Sequence, residues 1–416
     1  MTGTKPRILF YSDCPFFAGC ENMLATLLNS AGLREEFETL LVYRANGRYE
    51  EGAGKRLDAG VRREPALVLW EEDLPAALEA AGLKPLARLW RGLGLVVAFK
   101  YVFALLALPA LFFKFRNFKP DLVHINNGGY PGAYSSLPAV FAARLAGAKA
   151  VVFVVNNIAV PYDRLSRRLE RPLDRAVAGR VSAFVTGSAH AGSKLAETLG
   201  LPAGQVRNIP NGIAPRPLKE GPAAVRGRLG VPEGAVVVGN VALLDPRKGH
   251  AFLLEALAIA KQKLPGTNLM LLVEGEGPER AALQARAAAL GLAGEVKFLG
   301  RQENIFDLMN AFDIFALSST GLEDFPNVVL EAMSLGKPVI GTRVAGVPEQ
   351  VEDGRTGLLV PPGDAEALGA AIAGLAADAA RREAMGLAGQ ARFKLEFTCG
   401  KAAERYGELY RGLLAA

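Results

Sequence analysis

The sequence predicts an α/β protein made of two Rossmann-like parallel-sheet domains in tandem, and three observations carry that prediction. Short apolar runs that read as strands alternate with helical spacings over most of the chain, the pattern of parallel sheets covered by helices. The alternation occurs twice, on either side of a turn-rich stretch at residues 208–235. A length of 416 residues, half of them hydrophobic and 22% charged, exceeds what one compact core holds at roughly 100–200 residues per domain.

In the first half, Arg7–Ser12 (RILFYS) is a short apolar strand, and residues 19–31 then place Met23, Leu24, Leu27 and Leu28 at helical spacing. Further strands are expected at residues 39–43, 66–70, 122–126, 150–156 and 183–186. The turn-forming NIPNGI at 208–213 marks a domain change, which gives a first domain over 1–205 and a second over 206–394. In the second series, strands at 236–244, 269–273, 296–299, 314–317, 338–341 and 358–360 alternate with helices at 251–264, 279–290, 305–312 and 327–335. Helices around Leu368, Ile372 and Leu375 follow. A last amphipathic stretch within 395–416, around Tyr406, Leu409 and Leu413, is expected to pack back on the first domain. Ligands of open α/β sheets bind beyond the carboxyl ends of the strands, so the two domains are expected to face each other across a ligand cleft.

Composition excludes several classes. Forty-six Gly and 25 Pro are spread along an apolar chain, unlike a disordered or collagen-like protein. Cys14, Cys20 and Cys399 form no CxxC pair, and His124, His190 and His250 lie far apart, so no metal site or disulfide framework is expected and a reducing compartment fits. The net charge is +6, yet residues 84–120 hold seven basic side chains and no acid, leaving about −1 for the rest. A nucleic-acid footprint needs basic residues spread over a polar face, so no nucleic-acid partner is expected. The basic stretch is apolar instead: residues 92–113 read GLGLVVAFKYVFALLALPALFF. A single span would put strands of one sheet on opposite sides of a membrane, so spanning is excluded. Two readings stand, a helix buried in the core or an in-plane membrane-surface segment over 88–119. Trp90, Arg91, Lys100, Phe112, Phe113, Lys114, Phe115 and Arg116 favour the second. The N-terminus runs directly into a strand and reads as no signal peptide, so a cytoplasmic chain, peripheral at the inner face of the cell membrane, is expected.

The stretch richest in chemistry is residues 323–351, EDFPNVVLEAMSLGKPVIGTRVAGVPEQV. Glu323 falls in a loop, Pro326 suits a first helical turn, and Glu331 follows about a turn and a half later. A carboxylate accepts two hydroxyl hydrogen bonds at once, so Glu323 can read sugar hydroxyls while Glu331 holds a ribose diol. The alternative is that both acids complement a helix dipole. Residues 241–250, VALLDPRKGH, follow a strand and open a helix, where backbone N–H groups and Lys248 can hold a diphosphate.

This arrangement resembles the Glu-x7-Glu motif of the retaining glycosyltransferases of family 4, which have the GT-B fold, and the likeness runs through LEAMSLGKPVIGTRVAGVPE. The resemblance implies that Glu331 contacts the ribose of a nucleotide sugar and Glu323 the transferred sugar. It implies a nucleotide diphosphate sugar, UDP or GDP, as substrate with no separate cofactor, and a glycan or lipid-linked acceptor in cell-surface glycan synthesis. The family's usual Arg ahead of the lysine is replaced here by Ala242 or Leu243, so Arg247 is either its substitute or an ordinary exposed arginine. Gly275 and Gly277 in LVEGEGP match a close strand-to-helix turn, and Arg301 in KFLGR lies in the segment that reads the base. The amides of Gly346 and Val347 are expected to face the leaving phosphate, with Ala345 where a second Gly is common.

In the first half, FFAGCE (16–21) resembles the family's Gly-Gly-Ala-Glu loop, with Ala18 in place of one Gly. Gly19 keeps close backbone approach possible, and Glu21 is either an acceptor-side group or a first-turn acid. Asn156 stands where many members carry a His near the reacting sugar. It can hydrogen-bond a hydroxyl or a developing charge but is no acid or base near neutral pH. His124 lies at a common acceptor-side position, or is a satisfied strand-end histidine. Ser188 reads as a helix N-cap and Asn211 as a turn residue. A nucleotide-sugar epimerase and a non-catalytic nucleotide-sugar-binding subunit are the competing functions.

Overall fold

The computed structural model describes residues 5–15, 17, 19–68, 73–92, 95–321 and 323–416. Its contacts divide the chain into two compact units, one running to Ile209 and rejoined by Ala402–Ala416, the other Pro210–Lys401.

The first unit is a parallel sheet of β1 (Arg7–Ser12), β2 (Glu38–Arg44), β3 (Arg63–Ala66), β4 (Leu122–Asn127), β5 (Ala150–Val155), β6 (Ala183–Thr186) and β7 (Val206–Asn208). The spatial order is β3-β2-β1-β4-β5-β6-β7. β5 reads AVVFVV and is buried throughout, as a central parallel strand covered on both faces must be. The second unit orders β8 (Val236–Val241), β9 (Leu269–Glu274), β10 (Val296–Gly300), β11 (Ile314–Leu317), β12 (Val339–Thr342) and β13 (Gly357–Val360) as β10-β9-β8-β11-β12-β13. All pairings in both sheets are parallel. In each unit the strand order reverses once, between β1 and β4 and between β8 and β11. Such reversals part neighbouring loops and open a crevice at the carboxyl edge.

Three expectations need correction. The strand placed at 66–70 is β3, Arg63–Ala66: the apolar run attracted the assignment, but Leu67 is 78% exposed and the polar REPA pairs with β2 as an edge strand, where Pro65 is tolerated. Leu69 and Trp70 lie outside the described residues. The boundary falls after Ile209 rather than 205, because β7 hydrogen-bonds to β6. At the other end the second unit extends past 394, since Phe397 O accepts from Ile213 N (3.0 Å) and Ile213 O from Cys399 N (3.2 Å). The final helix, Cys399–Ala415, then returns to the first unit and buries Ala402, Ala403, Tyr406 and Tyr410 among Phe10, Leu41 and Val152.

The apolar stretch forms the helix Leu95–Phe118. It divides the two readings between its faces: Ala107, Leu111 and Phe115 are buried against the sheet, while Val102, Leu105, Leu106 and Phe113 are exposed. Lys114 is paired with Glu64 (3.0 Å), so an acid distant in sequence offsets part of the basic stretch. The side chains of Trp90, Arg91 and Lys100 lie outside the described residues. Among the described residues no helix is long and apolar enough to cross a membrane.

Candidate active site

The loops after β8 and β11 meet at the reversal point of the second sheet. After β8 the chain turns at Asp245, whose carboxylate accepts the Arg247 N–H (3.0 Å) and caps the short 3₁₀ turn Pro246–Lys248. Gly249 follows at φ 66°, and a Cβ there would stand 2.0 Å from Ser318 O, so only glycine fits. Ser318 Oγ donates to Lys248 O (2.8 Å) and Thr320 N to Arg247 O (2.8 Å), which stitches the two loops together. Their side chains then converge. Lys248 Nζ forms an ion pair with Glu323 Oε1, and Ser319 Oγ donates to the same oxygen (2.7 Å). Both charges are largely buried, at 13% and 8% side-chain exposure, so each depends on the other for solvation. Arg247 holds its guanidinium beside Asp245, with Nε 3.5 Å from Oδ1.

The β9 loop joins this edge. Gly275 packs its backbone on Ala242, where a Cβ would lie 1.9 Å from the carbonyl, and Gly277 packs likewise on Leu244. Leu244 N donates to Glu276 O (3.0 Å). Glu274, the last residue of β9, is buried, accepts from Gln302 N (3.1 Å), and has its carboxyl pushed up by burial against the charge of Arg301. Glu331, on the helix Asn327–Ser334, is pushed up to about 7 by burial, with Arg216 pulling down and Glu274 pushing up. Sequence reasoning missed Glu274, Ser319 and Arg216. The first was visible as the acid closing an apolar strand in LVEGEGP. Asn211, expected only to turn the chain, donates to Phe325 O (3.2 Å) and Asn327 Oδ1 (3.1 Å), anchoring the start of the helix that carries Glu331.

One expected phosphate contact fails. Val347 N donates to Val344 O (3.0 Å), and the Val347 side chain is fully buried at the start of a four-residue helix, so its amide is already committed. Gly346 is the N-cap of that helix. Ala345 adopts φ 42°, a left-handed conformation uncommon outside glycine.

In the first unit the corresponding reversal, between β1 and β4, holds a cavity of about 320 Å³ edged by the polar side chains of Asp13, Asn126, Asn127 and Tyr134, with Cys14, Pro15, Gly132 and Ala133 among the rest of its lining. Behind it lies a carboxylate knot. Glu21, on the helix Gly19–Asn29, is fully buried and accepts from Ser12 Oγ (2.8 Å), Tyr49 Oη (2.7 Å) and Asn126 Nδ2 (2.8 Å). Burial raises its carboxyl, and the Tyr49 and Ser12 hydrogen bonds oppose that. Asn156 Nδ2 donates to Asn126 Oδ1 (3.0 Å) and Asn127 O (2.9 Å), so it belongs to the same network. Glu21 is thus enclosed by its partners and holds Asn126 from behind. Gly19 opens that helix; Phe16 and Ala18 of the same loop lie outside the described residues.

For His124 the structure favours the second of its two readings, a satisfied strand-end histidine, over the acceptor-side one. It is 1% exposed, its Nδ1 lies 2.7 Å from Tyr410 Oη, and burial pushes its imidazole down to about 3. Its place is beneath the final helix rather than at that cavity. Cys14 and Cys20 are free thiols whose sulfurs stand 3.4 Å apart, and with Glu21 they bring two thiols and a carboxylate within 4.8 Å of one another. Hydrogen bonding to Cys20 and burial push the Cys14 thiol up. Ser188 caps its helix as expected, accepting from Ala191 N (3.0 Å).

Residues 24–212 match the model of a glycosyl transferase 4-like domain and residues 234–378 that of glycosyl transferases group 1. A lipopolysaccharide core biosynthesis glycosyltransferase, LpsE of Rhizobium meliloti, is 40% identical over 156 residues, 38% of this chain and 44% of the relative. A GDP-mannose-dependent alpha-(1-6)-phosphatidylinositol monomannoside mannosyltransferase of Mycolicibacterium smegmatis is 32% identical over 261 residues, 60% of this chain. The match spans 66% of that relative's length. Among solved structures, Anabaena Alr3699/HepE in complex with UDP-glucose superposes with a TM-score of 0.71 at 21% identity, over 98% of this chain and 99% of that one. A glycosyltransferase from Rickettsia africae gives 0.77 at 17% identity, over 99% of both chains.

Proposed function

This chain belongs to glycosyltransferase family 4, with the GT-B fold, and from that premise we propose that it moves a sugar from a nucleotide diphosphate sugar to an acceptor hydroxyl with retention at the anomeric carbon. The observation that carries this reading is the Lys248–Glu323 pair at the β8/β11 reversal, with Ser319 on the same carboxylate oxygen. A cation and a carboxylate placed together match the two halves of the donor. The ammonium of Lys248 takes the diphosphate, aided by Arg247, and the Glu323 carboxylate accepts hydroxyl hydrogen bonds from the sugar. Glu331 receives the ribose diol. Gly275 and Gly277 bring the β9 turn close enough to the β8 loop to form the floor beneath the nucleotide, with Arg301 and the Gly346 amide at its margins.

The reaction then balances without a protein base. The bond between the anomeric carbon and the leaving phosphate oxygen breaks, the acceptor oxygen bonds to the same face, and the acceptor proton passes to the departing phosphate. Asn156 need only donate or accept a hydrogen bond, as its chemistry permits. No separate cofactor and no metal enter this scheme, and UDP or GDP sugars are the donors it calls for. The cavity edged by Asp13, Asn126 and Asn127 is assigned to the acceptor's hydroxyls. We assign the acceptor to a lipid-linked or membrane-proximal glycan and the exposed apolar face of helix Leu95–Phe118 to the membrane surface, on the cytoplasmic side.

A thermal-shift screen of UDP-, GDP- and ADP-sugars tests the donor site. One donor should raise the melting temperature of the parent protein, and Glu331→Ala and Lys248→Ala should abolish that response. Stabilisation by no donor, or responses from both variants as strong as the parent's, would remove the site assignment. Incubating that donor alone and analysing the sugar separates the alternatives: an epimerase converts it, and a transferase leaves its configuration unchanged.

A further inference from the structure

The cavity beside Asp13, Asn126 and Asn127 in the first unit shares a wall with a second one whose lining is almost wholly apolar. This neighbour, about 200 Å³, runs between three helices and is lined by Ala104, Leu105 and Leu108 of Leu95–Phe118, Leu137 and Phe141 of Ser136–Leu145, and Leu173 of Leu165–Ala178. Tyr134 lines both cavities, and Pro131 on the apolar side is followed directly by Gly132 on the other side. The wall is built rather than incidental. Asn127 Nδ2 donates to Gly129 O (2.7 Å) and Pro131 O (2.9 Å), and its Oδ1 accepts from Ala133 N (3.0 Å), so one side chain fixes the whole turn between the two spaces.

The apolar groove carries one acid, Glu170, and that carboxylate is held by the buried Arg167, which also pairs with Asp174 at 3.0 Å. One guanidinium thus serves two carboxylates, and the acid on this wall is ion-paired within the protein. At the mouth Leu105 is 69% exposed, and Val102, Leu106 and Phe113 continue the apolar surface along the same helix. An apolar groove that opens on an apolar face and ends beside a cavity edged by Asp13, Asn126 and Asn127 fits a ligand with a hydrocarbon tail joined to a polar head. A folded partner could cover the face but could not enter a slot of this size.

We propose that this groove takes a hydrocarbon chain of the lipid that carries the acceptor, with the acceptor's polar head in the adjoining cavity at Asp13, Asn126 and Asn127. The proposal rests on the glycosyl-transfer reading for the identity of the head, while the tail site stands on the groove itself.

The test uses the full chain and 11-(dansylamino)undecanoic acid, whose emission shifts to the blue in an apolar site, with dansylglycine as the same fluorophore without a tail. The long probe should bind saturably and dansylglycine at least 10-fold more weakly. Ala104→Trp, which fills the groove from a half-exposed helix position, should weaken the long probe at least 10-fold, and Ala104→Leu should fall between. Far-UV circular dichroism and thermal melts should show both variants folded. Equal binding of the two probes by the parent protein needs no variant to interpret and would overturn the proposal, as would undiminished binding to folded Ala104→Trp. Donor thermal shifts on the same samples separate the two readings. Donor stabilisation without long-probe binding removes the groove and leaves glycosyl transfer standing. Long-probe binding without any donor response overturns the acceptor assignment.

Discussion

Lys248 and Glu323, 75 residues apart in the chain, meet as a direct ion pair because Gly249 lets the β8 loop press against the β11 loop at Ser318. Neither residue is well exposed, so removing one leaves the other as an uncompensated buried charge. Lys248→Ala and Glu323→Ala should each lose about 3 kcal/mol of stability, and the double variant less than the two losses added. Urea unfolding of the four proteins measures this; strict additivity would mean that the pair does not couple. In kinetics, Lys248→Ala should lower kcat at least about 100-fold, since it withdraws a charge from the leaving diphosphate.

Glu331 supplies a pH signature. Its carboxyl is raised by burial to about 7 in the folded chain, against about 4.3 when unfolded. Between those values the folded state binds the extra proton, so this residue's contribution to stability falls as pH rises from about 4.3 to about 7. Donor binding should run the other way, because a ribose diol donates best to the ionised carboxylate. Donor affinity should increase from pH 6 to pH 8, with proton release detectable by calorimetry in buffers of different ionisation enthalpy. Glu331→Gln should flatten both profiles; a parallel pH dependence in that variant would place the titration elsewhere.

The backbone at two loop positions makes opposite predictions for the same exchange. Ala345 sits at φ 42°, a conformation that strains a residue with a Cβ by roughly 1 kcal/mol, so Ala345→Gly should leave stability unchanged or raise it by about 0.5 kcal/mol after the entropy of the added glycine is counted. Gly249→Ala, at φ 66° with Ser318 O in the way, should lose at least about 2 kcal/mol. It should also impair donor binding, because the loop carrying Lys248 must move. Thermal melts with and without donor distinguish the two effects.

The fold was legible because parallel strands are buried on both faces and write themselves as unbroken apolar runs, AVVFVV in β5 and LMLLVE in β9. β3 was not, because an edge strand such as REPA needs no apolar alternation. In the second unit the residues singled out at Lys248 and Glu323 do meet, since motif spacing tracks loop geometry at a sheet edge. The first unit was harder. Glu21, Asn126 and Asn156 form one network only through the register of β1, β4 and β5, which linear sequence does not express. The nearness of Cys14 to Cys20 depends on a loop turning back on itself, and Val347 was lost to a hydrogen bond with Val344, three residues back, that composition cannot reveal. The face of helix Leu95–Phe118 shows the same limit: pattern gave an apolar helix, and only packing divided it into a buried side and an exposed one.

His124 shows how the final helix ties the chain's end to its beginning. Its imidazole sits beneath Tyr410 with ring partners Phe10 and Tyr406, and burial alone drives it down to about 3. An unfolded histidine titrates near 6.5, so between those values the unfolded state binds more protons and stability falls as pH drops from about 6.5 toward 3. The second unit has its own counterpart in His250, lowered to about 4 by burial and the charge of Lys248. Acid should therefore loosen both units. Hydrogen exchange followed by peptide mass analysis resolves them: between pH 6.5 and 4.5, after correction for intrinsic exchange, peptides from β1, β4 and the Cys399–Ala415 helix should lose protection together. His124→Leu should reduce that loss in the first unit and leave the second unit's response intact. Tyr410→Phe, which keeps the ring and removes the hydroxyl, should lower stability by about 1 kcal/mol with little change in the pH profile, because desolvation and not the hydrogen bond sets the titration. If His124→Leu loses protection with acid as steeply as the parent protein, the buried imidazole is not the acid-sensitive element of the first unit.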